Sequence, residues 1–408
     1  MGKPAWGPGS KTGNSAHMTY AAPTYEFLEA RARRRVPKFA FDFVQGGTGA
    51  DRGIETNRRA LDAVEIIPRY GNLKKADTTT TLFGTRFMAP IGIAPVGMDA
   101  LIWPGATTSL ARAAKASNIP YITGTLANSP LEEVADIAGG ERTWLQLYGF
   151  PRDDHRVTID MVRRAKAAGI AAIVATLDAP VRAKRPRDLH NRLVVPFRPT
   201  LKTVWEVATS PAWARALVRH GTPKFANINR YVDGAATLDR VAGFVQKELI
   251  GSFSWAEIAL MRKIWDGALI VKGVLHPEDA EAAVNVGADA ILISNHGGRQ
   301  SDAAPSPINV LPAIRDRVNG RARLLFDSGI RSGLDVMRAL ALGAEAAFSG
   351  RGFLYALAAL GEKGGTHFAD LLREEFAVAM AQSGASTVAD IPDVSCRHAH
   401  AYRFPNPA

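Results

Sequence analysis

From residue 90 onward, short segments rich in Val, Ile and Leu alternate with longer Ala-rich segments. Parallel strands that are buried on both faces have this continuous apolar character, and the longer segments are typical of the helices that connect them. Eight such strands favour a closed (β/α)8 barrel, or TIM barrel, over an open doubly wound sheet, which usually has fewer strands. The candidate strands are residues 90–94, 121–124, 143–147, 171–176, 268–272, 290–294, 323–327 and 346–349.

Several parts of the chain lie outside this repeat. Residues 1–19 are rich in Gly, Pro, Ser and Lys and lack an apolar run, which predicts a disordered extension rather than a secretory signal. We expect an N-terminal helical segment and the barrel within residues 20–394, followed by a C-terminal tail, residues 395–408. An insertion of about residues 180–251 follows the fourth strand and is too long for an ordinary connection.

The middle of this insertion, residues 201–219, interleaves apolar and basic side chains. Trp205 and Trp213 stand among valines and leucines, with Lys202, Arg215 and Arg219 between them. This composition is typical of an amphipathic segment on a membrane surface, and equally of a lid helix packed on the barrel or on a neighbouring subunit. No stretch approaches the roughly 18 uninterrupted apolar residues of a spanning helix, so we expect none.

Two helix starts are indicated by hydroxyl residues that precede a glutamate by three positions. These are Ser129, followed by Pro130 and Glu132, and Ser254, followed by Glu257. A hydroxyl at this position can accept a hydrogen bond from the first turn, so the pattern predicts an N-cap at each serine.

The formal net charge is +11, from 50 Lys and Arg residues against 39 Asp and Glu residues. This excess favours nucleic acid, anionic lipid or a small acidic substrate as a partner. No basic block or recognition motif concentrates the charge, so a nucleic-acid-binding module is disfavoured. The single cysteine, Cys396, excludes an intramolecular disulfide and a multi-thiolate zinc site, which fits a cytoplasmic location. The histidines show no ligand spacing, so we predict no catalytic metal.

Side chains at the carboxyl ends of barrel strands face the active site. His296 follows the sixth candidate strand and precedes two glycines, which leaves its imidazole unshielded and suited to act as a general base. Asp178 can orient the imidazolium that forms, and Arg299 can hold a carboxylate through its planar guanidinium group. Further candidate residues at strand ends are Gln146, Tyr148, Thr176, Lys272, Ser294, Asp327, Arg331, Gly350 and Arg351.

Residues 327–331 and 349–351 follow the last two strands, where barrels often bind phosphate through backbone N–H groups and a helix N-terminus. Lys272 is either a surface lysine or a buried cation facing an electron-rich group such as a flavin ring at N1. The chain lacks G-x-S-x-G, a Walker loop and a strand followed by G-x-G-x-x-G, which disfavours a hydrolase, a P-loop enzyme and a Rossmann dehydrogenase. A different phosphate-binding barrel, of the IMP-dehydrogenase-like type, stays an alternative.

The segment Ser294-Asn295-His296-Gly297-Gly298-Arg299-Gln300 resembles the active-site motif of the FMN-dependent L-2-hydroxy acid oxidases and dehydrogenases. The resemblance extends over about residues 23–394. It implies a TIM-barrel enzyme that oxidises an L-2-hydroxy acid to the 2-oxo acid with FMN as the cofactor. Other matching segments are Ile-Ala-Pro at 93–95, Gln-Leu-Tyr at 146–148, Val-Lys-Gly at 271–273 and Asp-Ser-Gly-Ile-Arg at 327–331.

The resemblance also implies a role for each matching residue. His296 would be the base, supported by Asp178. The substrate's hydroxyl and carboxylate groups would be bound by Tyr148, Arg185 and Arg299. The flavin would be lined by Pro95, Val96 and Gly97 and bonded by Gln146, Thr176, Lys272 and Ser294. The phosphate side of the cofactor site would comprise Asp327, Ser328, Gly329, Arg331, Gly350 and Arg351.

Residues 187–192 and 218–223 are similar to the (S)-mandelate dehydrogenase and quinone-dependent L-lactate dehydrogenase type of the family. This likeness implies a homotetramer that attaches peripherally to the inner face of the cell membrane through residues 200–222 and passes electrons to quinone. Gly97, where many members have alanine, leaves room for a bulky substrate, so an aromatic, mandelate-like acid is favoured. An L-lactate- or glycolate-type oxidase that uses oxygen is the alternative.

Two positions depart from the family pattern. Phe43 stands where the family has a tyrosine that bonds the substrate carboxylate, and Gly124 stands where a serine that contacts the flavin is usual. The first change removes one hydrogen bond, on the order of 1 kcal/mol or somewhat more to a charged group. We therefore expect weaker or altered substrate binding.

Overall fold

The chain is described from a computed structural model that covers residues 22–71, 75–181, 183–193, 198–232, 234, 237–249, 251–402 and 404. The predicted disordered extension, residues 1–19, lies outside the described residues. Before the barrel the chain forms the expected N-terminal helical segment and three short strands. These elements are α1 (Tyr25–Arg33), α2 (Lys38–Gln45), α3 (Arg52–Asp62), β1 (Val64–Ile66), β2 (Thr80–Leu82) and β3 (Thr85–Phe87).

Eight parallel strands then close into a barrel, which confirms the predicted TIM fold. They are β4 (Ile91–Ile93), β5 (Tyr121–Gly124), β6 (Thr143–Leu147), β7 (Ala172–Thr176), β8 (Ala268–Val274), β9 (Ala290–Ile293), β10 (Arg323–Phe326) and β11 (Ala346–Ser349). Each strand pairs with the next in the chain, and β11 pairs with β4 to close the ring. All eight candidate segments are therefore barrel strands.

The strands read as continuous apolar runs because both of their faces are buried. Ile122, Trp144 and Val174 point into the barrel, whose base is covered by the antiparallel β2–β3 hairpin. Alternate residues such as Tyr121 and Leu145 point outward and pack under the helices. Parallel strands enclosed in this way are mostly apolar at successive positions, and their polar residues lie largely at the strand ends.

The outer layer consists of the helices that follow the barrel strands. They are α4 (Ala106–Ser117), α5 (Leu131–Ala138), α6 (Arg152–Ala167), α11 (Trp255–Ile264), α12 (Pro277–Asn285), α13 (Pro307–Val318), α14 (Gly333–Ala341), α15 (Arg351–Leu360) and α16 (Gly364–Ser383), where α7 to α10 belong to the insertion. The segment named as the C-terminal tail forms β12 (Cys396–His398), antiparallel to β1.

The insertion contains α7 (Pro186–His190), α8 (Leu201–Ala208), α9 (Pro211–His220) and α10 (Leu238–Glu248). Trp213 of α9 is buried, donates its indole N–H to the Leu101 carbonyl at 3.2 Å and packs edge-on against Phe39. Other side chains of α8 and α9 are apolar and exposed: Trp205 of α8 is 70% and Val218 of α9 is 88% accessible to solvent. Within the described residues, no helix combines the length and apolar character required to span a bilayer.

One of the two predicted helix caps is confirmed and the other is wrong. Ser254 caps α11 by accepting the Glu257 N–H, and Glu257 bonds back to the Ser254 N–H. Ser129 caps nothing, because α5 begins at Leu131, whose N–H donates instead to Asn227 Oδ1 at 2.8 Å. A side chain from the insertion thus replaces the local serine, which a local sequence pattern does not reveal.

We expect Asn227→Ala to lower the free energy of unfolding by about 1–3 kcal/mol, because it leaves buried polar groups unpaired. Asn227 is fully buried, and its amide also donates to the Gly124 carbonyl. Chemical denaturation of the holoprotein measures the change. The control Asn285→Ala, at an exposed helix end, should change the value by less than about 0.5 kcal/mol. Equal effects of the two substitutions would contradict this capping role.

Candidate active site

One large cavity opens at the carboxyl ends of the barrel strands and encloses about 1340 Å³ of space, including its open mouth. The N-terminal segment closes one side of it through Tyr25, Phe43 and Asn57. The predicted residues that line it are Phe43, Pro95, Val96, Gly97, Gln146, Tyr148, Thr176, Arg185, Lys272, His296, Arg299, Asp327, Ser328, Gly329, Arg331, Gly350 and Arg351.

Two predicted residues, Asp178 and Ser294, do not belong to the cavity wall and act from behind it. The Asp178 carboxylate accepts a hydrogen bond from His296 Nδ1 at 2.9 Å. The Ser294 hydroxyl accepts from Lys272 Nζ at 2.9 Å and from the His296 backbone N–H at 3.0 Å. Ser294 thus contacts both the lysine and the backbone of the base.

The electrostatics of the pair leave His296 able to accept a proton. Burial lowers the pKa of His296, and the attraction of Asp178 opposes this only in part. Burial on its own would raise the pKa of Asp178, but the charges of His296 and Lys272 outweigh it and lower the value to about 2. Asp178 therefore stays ionised and holds Nδ1–H, so Nε2 carries the lone pair. The Tyr148 hydroxyl lies 3.4 Å from Nε2.

Lys272 is a buried cation rather than a surface lysine, with 4% of its surface exposed. Its Nζ lies 3.3 Å from Asp178 Oδ2 and 3.8 Å from Asp327 Oδ2. Burial would lower the pKa of Lys272, but these two carboxylates outweigh it and raise the value. The ammonium group is therefore charged at the end of β8, in the cavity wall.

Arg299 and Arg351 bind the carbonyl groups at the end of α2. Arg299 Nη1 donates to the Phe43 and Gly46 carbonyls at 2.8 and 2.6 Å, and its guanidinium lies over the Phe43 ring. Arg351 donates to the carbonyls of Val44, Gly46 and Gly297. The last carbonyls of a helix have no partner within it, so the two arginines cap α2. Three of the five guanidinium N–H donors of Arg351 are used in this way, and its backbone N–H lies in the first turn of α15.

The side of the cavity that Arg185 and Arg299 line carries an excess of positive charge. Burial lowers the pKa of Arg299 well below its usual value, and the positive charges of Arg185 and Arg351 add to this. Arg185 lines the same wall, and its buried Nε has no hydrogen-bond partner among the residues that the structure describes. A bound anion would relieve the repulsion between the guanidinium groups and supply that partner.

The other end of the cavity suits a phosphate. Gly350 directly precedes α15, so N–H groups of its first turn are directed at this end. The Arg331 guanidinium lies 4.8 Å from the centre of the Tyr25 ring, and among the described residues it forms no ion pair with an acidic side chain. Gly350 has no side chain, and a Cβ there would lie 3.4 Å from Val96. A phosphate-binding end and a cation at the opposite end fit a flavin nucleotide that lies between them.

Some residues at the site could not be assigned from the sequence. Tyr25 supports Arg331, and Asn57 bonds Asn295 beside the base. Both lie on N-terminal helices, outside the repeat that marks strand ends. The only indication in the sequence is a polar residue placed among apolar positions of a helix, which is a weak one.

A barrel with a phosphate-binding end, a histidine base and a cationic wall has the groups that an oxidoreductase needs to hold a flavin beside an acidic substrate. Comparison with known proteins agrees with this class. A model of the FMN-dependent dehydrogenase family matches residues 32–398. The chain therefore belongs to that family, and it is an enzyme that oxidises L-2-hydroxy acids with FMN. The IMP-dehydrogenase-like alternative is thereby excluded.

Individual relatives cover most of the chain. An L-lactate dehydrogenase of Ectopseudomonas mendocina (strain ymp) is 40% identical over 364 residues, which are 89% of this chain and 95% of that protein. One from Caulobacter vibrioides (strain NA1000 / CB15N) is 40% identical over 375 residues, 90% and 95% of the two chains. The structure of the monotopic membrane protein (S)-mandelate dehydrogenase superposes with a TM-score of 0.85 at 33% identity, covering 92% and 99%. A mandelate oxidase superposes at 0.77 and 35%, covering 92% and 98%.

We expect Asp178→Asn to move the acid limb of the pH profile of flavin reduction to lower pH. The negative charge of Asp178 stabilises the imidazolium, so its loss lowers the pKa of His296 further. The base then stays neutral down to a lower pH. The plateau rate should fall by about 10²-fold or more, since the ring loses its orienting acceptor. Anaerobic stopped-flow reduction across the pH range gives both quantities.

The matched control is Asp266→Asn, since that carboxylate is exposed and pairs with Lys166 on the surface. It should leave the profile unchanged. An acid limb that moved to higher pH in Asp178→Asn would show that Asp178 does not stabilise the charged form of His296.

Proposed function

We propose that His296 accepts one of the two protons that a bound L-2-hydroxy acid loses, while bound FMN would take up the two electrons and the second proton, giving the 2-oxo acid. The observation that carries this assignment is the Asp178–His296 pair, which presents Nε2 to a cavity lined by buried cations. Bound FMN supplies the two-electron acceptor that no side chain offers. The accepted proton is held on Nε2, and the imidazolium is stabilised by Asp178.

Substrate orientation follows from the groups around Nε2. We place the carboxylate between Arg185 and Arg299. There the buried Nε of Arg185 lacks a partner among the described residues, and the two cations repel each other. The substrate hydroxyl is placed at Tyr148, whose oxygen lies 3.4 Å from His296 Nε2. Phe43 offers an apolar ring on this wall instead of a further donor, so the carboxylate relies on the arginines.

An aromatic or otherwise bulky side chain is the favoured substrate feature. Gly97 and Leu126 lie side by side in the cavity wall, and a Cβ at Gly97 would come within 3.3 Å of Leu126. Phe43 and Met98 make the surrounding surface apolar. The mandelate enzymes among the solved structures support this choice. L-Lactate is the second candidate, because relatives at 40% identity are L-lactate dehydrogenases.

Proposed roles at the cofactor follow the same geometry. FMN would lie with its phosphate at Arg331, Gly350 and the backbone of Arg351, and with its ring beside Lys272. Pro95, Val96 and Gly97 would line one face of the ring. Gln146 and Thr176, which bond each other at 2.8 Å, and the loop of Asp327, Ser328 and Gly329 would complete the site.

We expect His296→Ala to retain FMN but to lose reduction of the flavin by at least about 10²–10⁴-fold, because the proton acceptor is removed. Loss of yellow absorbance is followed anaerobically with (S)-mandelate, L-lactate and glycolate. The control His400→Ala, at an exposed position in the C-terminal segment, should behave as the unmodified enzyme. Undiminished reduction in His296→Ala would end the assignment of the base.

The same enzyme is proposed to attach peripherally to a membrane through residues 200–222. Leu201 of α8 is 91% exposed, and it shares an uncovered apolar surface with Val204, Trp205 and Val218. Lys202, Arg215 and Arg219 lie on the same two helices and suit anionic headgroups. This position, on the cytoplasmic face, favours a quinone over oxygen as the electron acceptor. A homotetramer, measurable by light scattering, is the proposed assembly.

We expect the double variant Trp205→Ser/Val218→Ser to lose most of its sedimentation with vesicles that contain anionic lipid, because the exposed apolar contact is removed. Binding of the unmodified protein should weaken as salt increases. Tyr70→Ser, which changes a side chain that is 78% exposed elsewhere, serves as the control. Full sedimentation of the double variant would place the attachment elsewhere or exclude it. Reoxidation by oxygen or by a soluble quinone then identifies the acceptor.

A further inference from the structure

We propose that Asn57 and Arg58, adjacent residues of α3, are positioning residues for the two halves of the active site. Asn57 holds the loop that carries His296, and Arg58 holds the loop that carries Arg331. The inference rests on the proposed function, because it assigns work to the base and to the phosphate loop. Neither residue follows a barrel strand, and neither donates directly to the base.

Asn57 forms a reciprocal amide pair with Asn295, the residue before the base. Asn57 Nδ2 donates to Asn295 Oδ1 at 2.9 Å, and Asn295 Nδ2 donates to Asn57 Oδ1 at 2.7 Å. Asn295 also accepts the Gly298 N–H and donates to the Pro305 carbonyl. All four hydrogen-bonding positions of this amide are therefore used, and both side chains are at least 97% buried. One amide thus ties together α3 and both ends of the loop.

This loop needs such a support because its backbone is strained. His296, Gly297 and Gly298 have φ angles of 58°, 65° and 75°, in the left-handed region. A histidine in this region costs free energy, which the surrounding contacts must offset. The loop also lies directly against α3, since a Cβ at Gly298 would come within 2.8 Å of the Gly53 backbone. Without the amide pair, relaxation of the loop would move the imidazole.

Arg58 acts on the phosphate loop through Asp335. Its guanidinium binds the fully buried Asp335 carboxylate in a bidentate manner, at 2.7 and 2.8 Å. The same carboxylate accepts the backbone N–H groups of Arg331 and Ser332 at 3.0 and 3.1 Å. Arg58 Nη1 also reaches the Gly329 carbonyl at 3.4 Å. The position of the Arg331 backbone is therefore linked to α3 through the ion pair between Arg58 and buried Asp335, a carboxylate that also accepts from Arg338 at 3.0 Å.

One helix in this way sets the distance between the base and the phosphate end of the cavity. Successive side chains on a helix point about 100° apart, so neighbouring residues reach different loops. The next residue, Arg59, points to solvent and pairs with Glu55 on the surface. This contrast provides a matched control one position away.

The experiment compares Asn57→Ala, Arg58→Met and Arg59→Met in the full chain. FMN affinity is measured by quenching of FMN fluorescence on binding to the apoprotein, and reduction is followed in the FMN-saturated enzymes. Arg58→Met should weaken FMN binding about tenfold or more and leave the saturated reduction rate within about threefold. Asn57→Ala should leave FMN affinity within about threefold and slow reduction by about 10- to 100-fold at unchanged KM. Arg59→Met should change neither quantity.

A second readout separates positioning of the base from loss of stability. Burial lowers the pKa of His296, so a loosened loop that admits water should return it towards its ordinary value. The His296 titration followed by NMR in Asn57→Ala should therefore move to higher pH, whereas Arg58→Met should leave it in place. Asn57→Ser and Arg58→Lys keep part of each contact. They should affect the reduction rate and the FMN affinity, respectively, in the same way but less strongly. They replace the first pair if those variants do not fold.

Equal loss of FMN affinity and reduction rate in both variants would overturn the inference, as would unchanged behaviour in both. An unmodified, FMN-loaded enzyme that no 2-hydroxy acid reduces would instead refute the proposed function. FMN affinity and the His296 titration would still test the two positioning roles in that case, because neither measurement requires turnover.

Discussion

A charged lysine buried in the wall of the barrel is the constraint on which the rest of the site depends. An unpaired ammonium group at this depth would cost several kcal/mol, so carboxylates must lie close to it. Asp178 and Asp327 fill that requirement for Lys272. The same cation keeps Asp178 ionised, and ionised Asp178 holds the Nδ1 proton of His296. Lys272 thus acts on the base in two opposed ways: it keeps Asp178 ionised, and its own charge lowers the pKa of His296.

The barrel places these groups but does not hold all of their loops. His296, Ser328 and Met98 all have left-handed backbone conformations, each in a different loop at the cavity. Strain at three loops requires contacts from outside the strands. The Ser328 hydroxyl accepts the N–H groups of Asn295 and Gly297, so one strained loop supports another. The N-terminal helices supply the remaining contacts, which makes them part of the catalytic unit rather than an appendage to it.

The sequence predicted features that depend on local pattern or on strand ends. All eight barrel strands were found because burial on both faces leaves a continuous apolar run, and His296 was found because it follows such a run. Features that depend on side chains far apart in the sequence were not predicted. The capping of α5 by Asn227 and the pairing of Asn57 with Asn295 join residues far apart in the chain. The contacts of the Arg351 side chain with the end of α2 were likewise not predicted, because they join residues more than 300 positions apart.

The insertion shows why a surface segment and a catalytic cavity need not be separate regions. Its inner side is bonded to the barrel: the amide of Asn227 holds the end of β5 at Gly124, and Asn128 Oδ1 accepts the Lys224 N–H. Residues 124–128 include Leu126, which lines the cavity and accepts the Met98 N–H through its carbonyl. The segment that follows α9 is therefore joined by hydrogen bonds to the cavity wall beside the proposed flavin ring. If the apolar surface rested on a membrane, the cavity wall would have a defined position relative to the lipid. Electron transfer to an acceptor dissolved in the membrane requires such a fixed position.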